Sequence, residues 1–270
     1  MPELPEVETT RRGLAPYVVG RSIAAVEVRE PRLRWRVARN LAAKLAGQRI
    51  EALERRGKYL LFGTNAGTLL VHLGMSGSLR YLADPPAHGA HDHVDLQFVD
   101  GGVLRFNDPR RFGSWLLTSR PAEHPLLKEL GPEPLSADFT PSYLAEAARG
   151  RQVAIKQLLM NGRVVVGVGN IYANEALFRA GIHPLRAAGR IARTRFAPLV
   201  DAVRAVLTDA LEEGGTTLRN YVDGDGNPGY FRLSLRVYER DGEPCKRCGT
   251  TIRRRVQGQR ATYFCPRCQR

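Results

Sequence analysis

The chain has 270 residues, of which 43% are hydrophobic, and its formal net charge is +14. That length suits one large or two ordinary domains, and no apolar run is long enough to cross a bilayer. No N-terminal segment has the pattern of a signal peptide, so we expect a cytosolic protein without membrane partners. The basic excess indicates a polyanionic partner, most simply nucleic acid, and the alternative is that the charge serves solubility alone.

The first three residues, Met1-Pro2-Glu3, contain a candidate nucleophile. Processing enzymes usually remove a methionine that precedes proline, which would leave the Pro2 nitrogen as a free secondary amine. An α-amino group has a pKa of about 7.7–8.0, so part of it is neutral near pH 7 and can form a Schiff base. Glu3 places a carboxyl group beside that amine to donate or accept a proton. The alternative is an ordinary helix start with Pro5 in its first turn.

The first half of the chain has mostly the pattern of β-strands. Residues 5–14 predict a helix that ends near Gly13, and a second helix is predicted at 37–45. Turn residues at 64–67 and 100–102 predict two hairpins, and the whole pattern predicts an antiparallel β-sandwich or barrel. The predicted strands cover residues 22–29, 49–55, 59–62, 68–73, 78–82, 94–99, 103–106 and 112–117.

The segment Gly131-Pro132-Glu133-Pro134 predicts a linker, because the pattern after it becomes helical. Strands followed by helices indicate an α+β chain with two domains. We expect an N-terminal domain at 1–131, a helical domain at 132–240 and a C-terminal finger at 241–270. The predicted helices of the second half cover residues 141–148, 152–160, 170–180 and 194–213.

All four cysteines lie near the C-terminus, in the pattern C-x2-C-x16-C-x2-C formed by Cys245, Cys248, Cys265 and Cys268. Two such knuckles suit one tetrahedral Zn²⁺ held by four thiolates, which leaves no open position and makes the metal structural. Disulfides or a redox pair are the alternatives, and a cytosolic setting disfavours the first of them. Residues 240–270 also carry half of the net charge, so we expect the finger to lie on a phosphate backbone through residues such as Arg254.

Three further stretches suit a DNA-binding protein. A glycine turn runs into a helix with Asn170 as its predicted cap, which is a typical phosphate site, although ordinary capping is the alternative. The turn 107–113 offers Arg110 and Arg111 to phosphates and Phe112 as a wedge, unless that phenylalanine belongs to the core. The glycine-rich stretch 214–230 has the length of a binding loop or lid, or of a disordered connection.

The motifs in this order resemble those of the formamidopyrimidine-DNA glycosylase family over essentially the whole chain. The family implies an N-terminal β-sandwich, a helix–two-turn–helix domain, a zinc finger, and duplex DNA containing oxidised bases as the partner of a bacterial, monomeric enzyme. The motifs are Pro2-Glu3-Leu4-Pro5-Glu6-Val7-Glu8-Thr9, Gly57-Lys58-Tyr59, His72-Leu73-Gly74-Met75-Ser76-Gly77, residues 108–113, residues 167–175 and the four-cysteine finger.

The resemblance implies base excision followed by strand cleavage through β,δ-elimination, which makes the protein a glycosylase and lyase. Pro2 would attack C1′ of the damaged nucleotide, Glu3 would protonate the ring oxygen, and Lys58 would assist both cleavage and β-elimination. The family's δ-elimination is usually assigned to the residue at Arg260. Because a guanidinium is a poor acid, we expect Arg260 to clamp a phosphate.

The resemblance also implies how DNA is held. Asn170 and Lys58 would bind phosphates, with His72, His91 and Arg151 as further contacts. The alternative for either histidine is that it is an ordinary surface residue without a role in binding. A damaged base must be flipped out of the duplex, and an inserted trio would fill the space it leaves. That trio is Met75, Arg110 and Phe112, with Arg110 on the orphaned partner base.

A lesion-recognition loop at about 214–232, which includes Tyr221, would close over the flipped purine.

Two other functions remain open on the sequence. The endonuclease VIII branch of the same superfamily removes oxidised pyrimidines, but Leu4 and the 108–112 turn fit the first family better. A non-enzymatic zinc-ribbon protein would explain the charge and the finger, but not the other motifs.

Overall fold

The structure is a computed structural model that describes residues 2–214 and 235–270. The chain forms two compact units, one made of residues 2–128 and the other of residues 129–213 with 235–270. Each has its own secondary structure, strands in the first and mainly helices in the second. The predicted α+β fold is confirmed. Among the described residues, no helix combines the length and the apolar character needed to span a bilayer.

The first unit is a pair of four-stranded antiparallel sheets, with strand orders β1-β6-β7-β5 and β2-β3-β4-β8. Its core is formed by the inward side chains of both sheets, with Phe62, Phe106 and Trp115 among the largest. Both predicted hairpins are present, at 64–67 between β3 and β4 and at 100–102 between β6 and β7. The strands are β1 (Ile23–Val28), β2 (Ala52–Arg56), β3 (Tyr59–Thr64), β4 (Gly67–His72), β5 (Ser78–Leu82), β6 (Asp92–Phe98), β7 (Val103–Asn107) and β8 (Ser114–Thr118).

Two helices accompany these sheets, α1 (Leu4–Val18) and α2 (Leu41–Leu45), and both differ from the prediction. The first continues past Gly13 because Leu14 and Val18 are fully buried in the core. Their burial outweighs the roughly 1 kcal/mol that a glycine costs inside a helix. The second is shorter than the predicted 37–45.

The second unit contains α3 (Pro141–Ala148), α4 (Ile155–Leu159), α5 (Asn170–Arg179) and α6 (Phe196–Glu212), followed by a hairpin of β9 (Arg253–Gln257) and β10 (Arg260–Phe264). Helix α4 is shorter than the predicted 152–160, since the residues before it are extended and Ala154 forms an antiparallel bridge with Ala187. Helix α6 begins after a 3₁₀ turn at Arg193–Arg195 and not at residue 194.

Candidate active site and nucleic-acid interface

The N-terminus is held by a reciprocal arrangement at the start of α1. Glu3 is the N-cap residue, and its backbone N–H donates to Glu6 Oε2 at 2.8 Å. Pro2 and Glu3 are both buried, with Glu3 only 2% exposed. In return, the Glu3 carboxylate accepts the backbone N–H of Glu6, so the first turn of the helix fixes both the backbone and the side chain of the residue next to Pro2.

An ionic cluster around Glu8 connects α1 with the turn that carries Lys58. The Glu8 carboxylate accepts hydrogen bonds from Arg11, Arg12 and Arg55 at 2.8–3.1 Å. Burial alone would raise the pKa of Glu8, but these three guanidiniums lower it to about 2. Arg55 also donates to the carbonyl of Gly57 at 3.0 Å. One arginine thus joins α1 to the Gly57-Lys58 turn, a connection that the sequence analysis missed.

His72 lies at the end of β4 beside this turn. Burial, together with the charges of Lys58 and Arg34, lowers the pKa of His72 to about 4, so the ring is neutral at pH 7. Its Nδ1 accepts the N–H of Gly74 at 2.9 Å, which leaves the proton on Nε2. His72 can therefore donate one hydrogen bond to a phosphate without adding positive charge. The charge here comes from Lys58 and from Arg34, which the sequence analysis did not select.

The structure brings the predicted insertion trio together through the buried carboxylate of Asp108. Its Oδ1 accepts from Ser76 Oγ at 2.9 Å, and its Oδ2 accepts from the N–H of Gly113 at 2.8 Å. The first bond holds the turn that contains Met75, and the second holds the turn that contains Arg110 and Phe112. Asp108 itself is fully buried, so both turns rest on one satisfied side chain.

Phe112 is 40% exposed, so the alternative interpretation, in which Phe112 is a core residue, is wrong. The Arg110 guanidinium lies over its ring at 4.8 Å, in the range of a cation–π contact. Met75 is half-buried. A large exposed ring with an arginine stacked on it is a surface on which a nucleic-acid base can stack.

Arg111 lies within this turn, and His91 lies next to it. Arg111 has a φ of 56°, in the left-handed region, and its guanidinium is 3.3 Å from Glu30. That carboxylate partly neutralises Arg111, whereas Arg110 takes part in no ion pair among the described residues. His91 is exposed, and its carbonyl accepts the N–H of Asp108 at 2.9 Å, which places it next to the same turn.

In the second unit, the predicted cap of α5 is wrong by one residue. Gly169 is the N-cap, in an extended conformation, and Asn170 is the first helical residue. The glycine takes the cap because the chain enters the helix from a tight turn in which Gly167 has a φ of 79°. The Asn170 side chain is thus not used for capping, and its buried Oδ1 has no hydrogen-bond partner among the described residues. It remains available at a positive helix end.

The β9–β10 hairpin carries Arg254 and Arg260, which are both exposed. Its two-residue turn has positive φ at Gly258 and Gln259, as a tight hairpin requires. Arg260 begins β10 opposite Gln257.

Arg151, the remaining predicted contact of this unit, is exposed, and its Nε donates to the carbonyl of Ala147 at 3.1 Å. Tyr221 and most of the predicted loop at 214–232 lie outside the described residues.

Buried polar side chains that the sequence analysis missed fasten β10 to the helices. Lys156 is 1% exposed, and its Nζ donates to the Ala261 carbonyl at 2.8 Å and to Thr262 Oγ1 at 2.7 Å. Asn174 Oδ1 accepts the N–H of Tyr263 at 2.9 Å. Three consecutive residues directly after Arg260 are therefore held by α4 and α5. Only the burial of Lys156 reveals this role, and the sequence of a short helix does not show that its lysine is buried.

The four cysteines meet at one point. Their Sγ atoms all lie within 4.8 Å of one another, with Cys245–Cys268 at 4.0 Å and Cys248–Cys265 at 3.5 Å. A tetrahedral zinc with bonds of about 2.3 Å separates its thiolates by about 3.8 Å, so the spacing fits. All four are free cysteines, and the disulfide alternative is wrong.

The electrostatics of the cluster also favour a cation, because four neighbouring thiolates repel one another. Burial, reinforced by the other three thiols, raises the pKa of Cys268 to about 12. Four sulfurs this close ionise together only when a metal compensates their charge. Backbone N–H groups of Arg247 and Cys268 point to the sulfurs of Cys245 and Cys265 at 3.4 Å, as expected of zinc knuckles. One structural Zn²⁺ is the cofactor.

Three family models match the chain. Residues 1–115 match the formamidopyrimidine-DNA glycosylase N-terminal domain, residues 130–222 match the H2TH domain of the same enzyme, and residues 242–270 match the zinc finger found in FPG and IleRS. A formamidopyrimidine-DNA glycosylase of Syntrophotalea carbinolica is 57% identical over the full length of both chains.

Solved structures agree with the family matches. The glycosylase of Lactococcus lactis, in a mutant form bound to DNA containing Fapy-dG, is 36% identical, covers 100% of both chains and has a TM-score of 0.93. A MutM in complex with DNA containing carbocyclic 8-oxo-G is also 36% identical over 100% of both chains, with a TM-score of 0.92. These relatives favour neither the pyrimidine-specific branch nor the non-enzymatic alternative.

Proposed function

The chain belongs to the formamidopyrimidine-DNA glycosylase family, and from this premise we propose which of its residues carry the reaction. The enzyme is a base-excision repair glycosylase with lyase activity that removes oxidised purines from duplex DNA. The Fapy-dG and 8-oxo-G in the DNA complexes of its relatives support that substrate class. We expect it to act as a monomer in the bacterial cytosol or nucleoid.

Pro2, freed of Met1, is the nucleophile. Its nitrogen lone pair forms a bond to C1′ while the glycosidic bond breaks. The base leaves with the electron pair of the glycosidic bond and takes up the proton that the amine nitrogen loses. Glu3 then gives a proton to the ring oxygen, so the sugar opens and a Pro2 iminium remains at C1′. The reciprocal hydrogen bonds between Glu3 and Glu6 are the observation that carries this assignment, because they hold the residue next to Pro2 in a fixed conformation.

Strand cleavage follows from the iminium, which acts as an electron sink. Loss of the C2′ proton expels the 3′ phosphate by β-elimination, and a second proton loss expels the 5′ phosphate. Lys58 assists these proton transfers from its turn beside His72. Arg260 compensates the charge of a departing phosphate and does not act as an acid.

DNA is held by phosphate contacts of both units, and the flipped-out position is filled by the trio that Asp108 organises. His72, His91 and Arg111 belong to the first unit's contacts, and Asn170, Arg151 and Arg254 to those of the second. Phe112 is the wedge, with Met75 beside it, and Arg110 offers its donors to the orphaned partner base. Tyr221 belongs to the loop that covers the flipped purine.

Borohydride reduction of the iminium tests the nucleophile. We expect a verified sample with Pro2 at its N-terminus to give a covalent complex with duplex DNA that contains 8-oxoguanine. Pro2→Gly, and separately a form that keeps Met1, should lose at least about 90% of that complex, because neither offers the same secondary amine. Both should still bind duplex. Full trapping by the form that keeps Met1 would remove Pro2 from this role.

A further inference from the structure

A second basic surface lies in the helical unit, apart from the residues assigned above. An open cavity of about 820 Å³ is lined by residues of three segments, and none of them is acidic. The guanidiniums of Arg186, Arg190 and Arg270 take part in no ion pair in the part of the chain that the structure describes. The lining residues are Gln152, His183, Leu185, Arg186, Ala187, Arg190 and Arg270.

The backbone under this cavity is firmly built. Residues 151–155 and 186–189 run antiparallel and exchange three hydrogen bonds of 2.9 Å, from Ile155 to Arg186, from Ala188 to Val153 and from Gly189 to Arg151. A side chain at Gly189 would come within 2.9 Å of the Arg151 backbone, so the close approach requires glycine. The arginines therefore extend from a fixed frame that also carries Arg151.

The electrostatics of this surface favour an anion of repeating charge. From residue 181 to residue 200 the chain has four arginines and no acidic residue. One of them, Arg195, already donates to the carbonyls of Ala180 and Gly181 at 3.0 Å. Arg186 and Arg190 have no such partner in the described structure and are exposed. A concave wall of one sign of charge concentrates its field on an incoming polyanion.

The lining discriminates between a nucleic acid and an acidic protein. Protein interfaces have an apolar or aromatic centre, whereas the only large apolar side chain in this lining is Leu185, which is 37% exposed. A phosphodiester backbone needs guanidiniums and little else. The N–H of Gly189, the residue before Arg190, donates to the carbonyl of Arg151, the contact proposed above for DNA, and Gln152 after it lines the cavity.

We propose that Arg186 and Arg190 bind the phosphate backbone of the duplex beyond the segment that Arg151 contacts. This inference rests on the proposed function only in taking duplex DNA as the ligand. It lengthens the DNA footprint on one side and involves neither lesion recognition nor chemistry. The two arginines thus help the enzyme to hold undamaged DNA during its search.

The test measures the salt dependence of binding to undamaged duplexes of roughly 15 and roughly 35 base pairs, about one and a half and three and a half turns. Each phosphate contact adds about 0.9 to the slope of log affinity against log salt. For the double variant R186A/R190A on the long duplex, we expect the slope to fall by about 1.8. The wild type should then lose about tenfold more affinity than this variant between 50 and 200 mM salt. On the short duplex the slope should hardly change.

Two further variants serve as controls. R149A/R163A removes the same charge from arginines of the same unit that already pair with Glu146 and Glu129, so its slope should stay near that of the wild type. R186K/R190K keeps the charge and should also keep the slope. Zinc content and thermal midpoint verify that each variant is folded.

An unchanged slope for R186A/R190A on the long duplex would overturn the proposal and leave the cavity to another anion, such as an acidic protein. Equal losses for R149A/R163A would also overturn it, since only general charge would then matter. The readout uses undamaged DNA and no trapping, so it is independent of whether Pro2 is the nucleophile. A failure of one assignment can therefore be told from a failure of the other.

Discussion

Phe112 and Asp108 are four residues apart and have opposite environments. Asp108 is fully buried and satisfied, whereas Phe112 is 40% exposed under the guanidinium of Arg110. An exposed aromatic ring on a turn that a buried carboxylate holds rigid is suited to insertion between bases. The proposed wedge, Phe112, and its support, Asp108, are therefore different side chains, and only the wedge should affect the choice of substrate.

We expect Phe112→Ala to slow single-turnover cleavage of a paired 8-oxoguanine more than that of an abasic site. Stacking a base on an aromatic ring is worth about 1–3 kcal/mol, which corresponds to roughly 5- to 160-fold in rate. An abasic site has no base to extrude, so its loss should be slight. Arg110→Ala is the matched contrast, because it should alter discrimination by the opposite base and spare extrusion. If Phe112→Ala slows both substrates equally, the wedge assignment is wrong.

A second residue-scale prediction concerns acid stability and Glu8. Its pKa is lowered from 4.5 to about 2 in the folded protein by three arginines. The cluster therefore contributes its full stability above pH 4.5, and that contribution is lost as the pH falls from there through about 2. Glu8→Gln should lower the free energy of unfolding at pH 7 by roughly 2–3 kcal/mol and flatten its acid dependence.

Urea unfolding at several pH values measures this effect, with the exposed Glu54→Gln as the control. If Glu8→Gln kept the steep acid dependence of the wild type, the stability loss would belong to other carboxylates. Because Arg55 joins Glu8 to the carbonyl of Gly57, the same variant should also loosen the turn of Lys58.

At the scale of elements, the hairpin that carries Arg260 depends on Lys156 and Asn174. These two residues hold Ala261, Thr262 and Tyr263 through buried hydrogen bonds. A buried hydrogen bond to a charged group contributes about 1.5–3 kcal/mol, and removing the donor leaves its acceptors unsatisfied. Arg260 is the next residue along the strand, so its position follows from theirs.

Lys156→Met keeps most of the side-chain volume but removes both hydrogen bonds. We expect base excision to stay within about threefold of the wild type while the δ-elimination product falls by about tenfold, a loss near 1.4 kcal/mol. The β-product should accumulate instead. Gel separation of the two products at equal extents of excision gives the ratio, with the exposed Lys128→Met as control. An unchanged ratio would separate Lys156 from the placement of Arg260.

The sequence predicts elements well where local signals agree with burial. All eight strands of the first unit and its two hairpins follow from alternation and turn residues. The end of α1 does not, because burial of Leu14 and Val18 is a tertiary effect that overrides Gly13. The cap of α5 was placed on Asn170 because asparagine is a common cap, whereas the turn geometry gives that position to Gly169.

The same limit applies to the site. Phe112 and the four cysteines could be selected from motif and spacing. The supporting side chains could not, since Asp108, Lys156 and Asn174 have ordinary residue types whose roles come from burial and long-range partners.

At the scale of the molecule, the β-sandwich and the zinc finger have cores of very different kinds. The sandwich has a large apolar core shared by both sheets and α1. The finger has a small cluster in which Cys245 and Cys265 pack with Val237, Ile252 and Phe178 of α5. So few apolar side chains cannot stabilise a hairpin on their own, and the metal supplies the missing free energy.

Zinc removal should therefore act on one part of the protein only. We expect one Zn²⁺ per chain, and Cys248→Ser should lose both the metal and at least about 90% of the DNA affinity, because a finger without its metal unfolds. Hydrogen exchange should show lost protection of the backbone amides at 241–270. Strands β3 and β4 should keep their protection, because their core contains no cysteine that binds zinc. Zinc removed from the wild type by a chelator and then restored should return both affinity and protection. A metal-free protein that binds and cleaves normally would show that the finger does not depend on zinc.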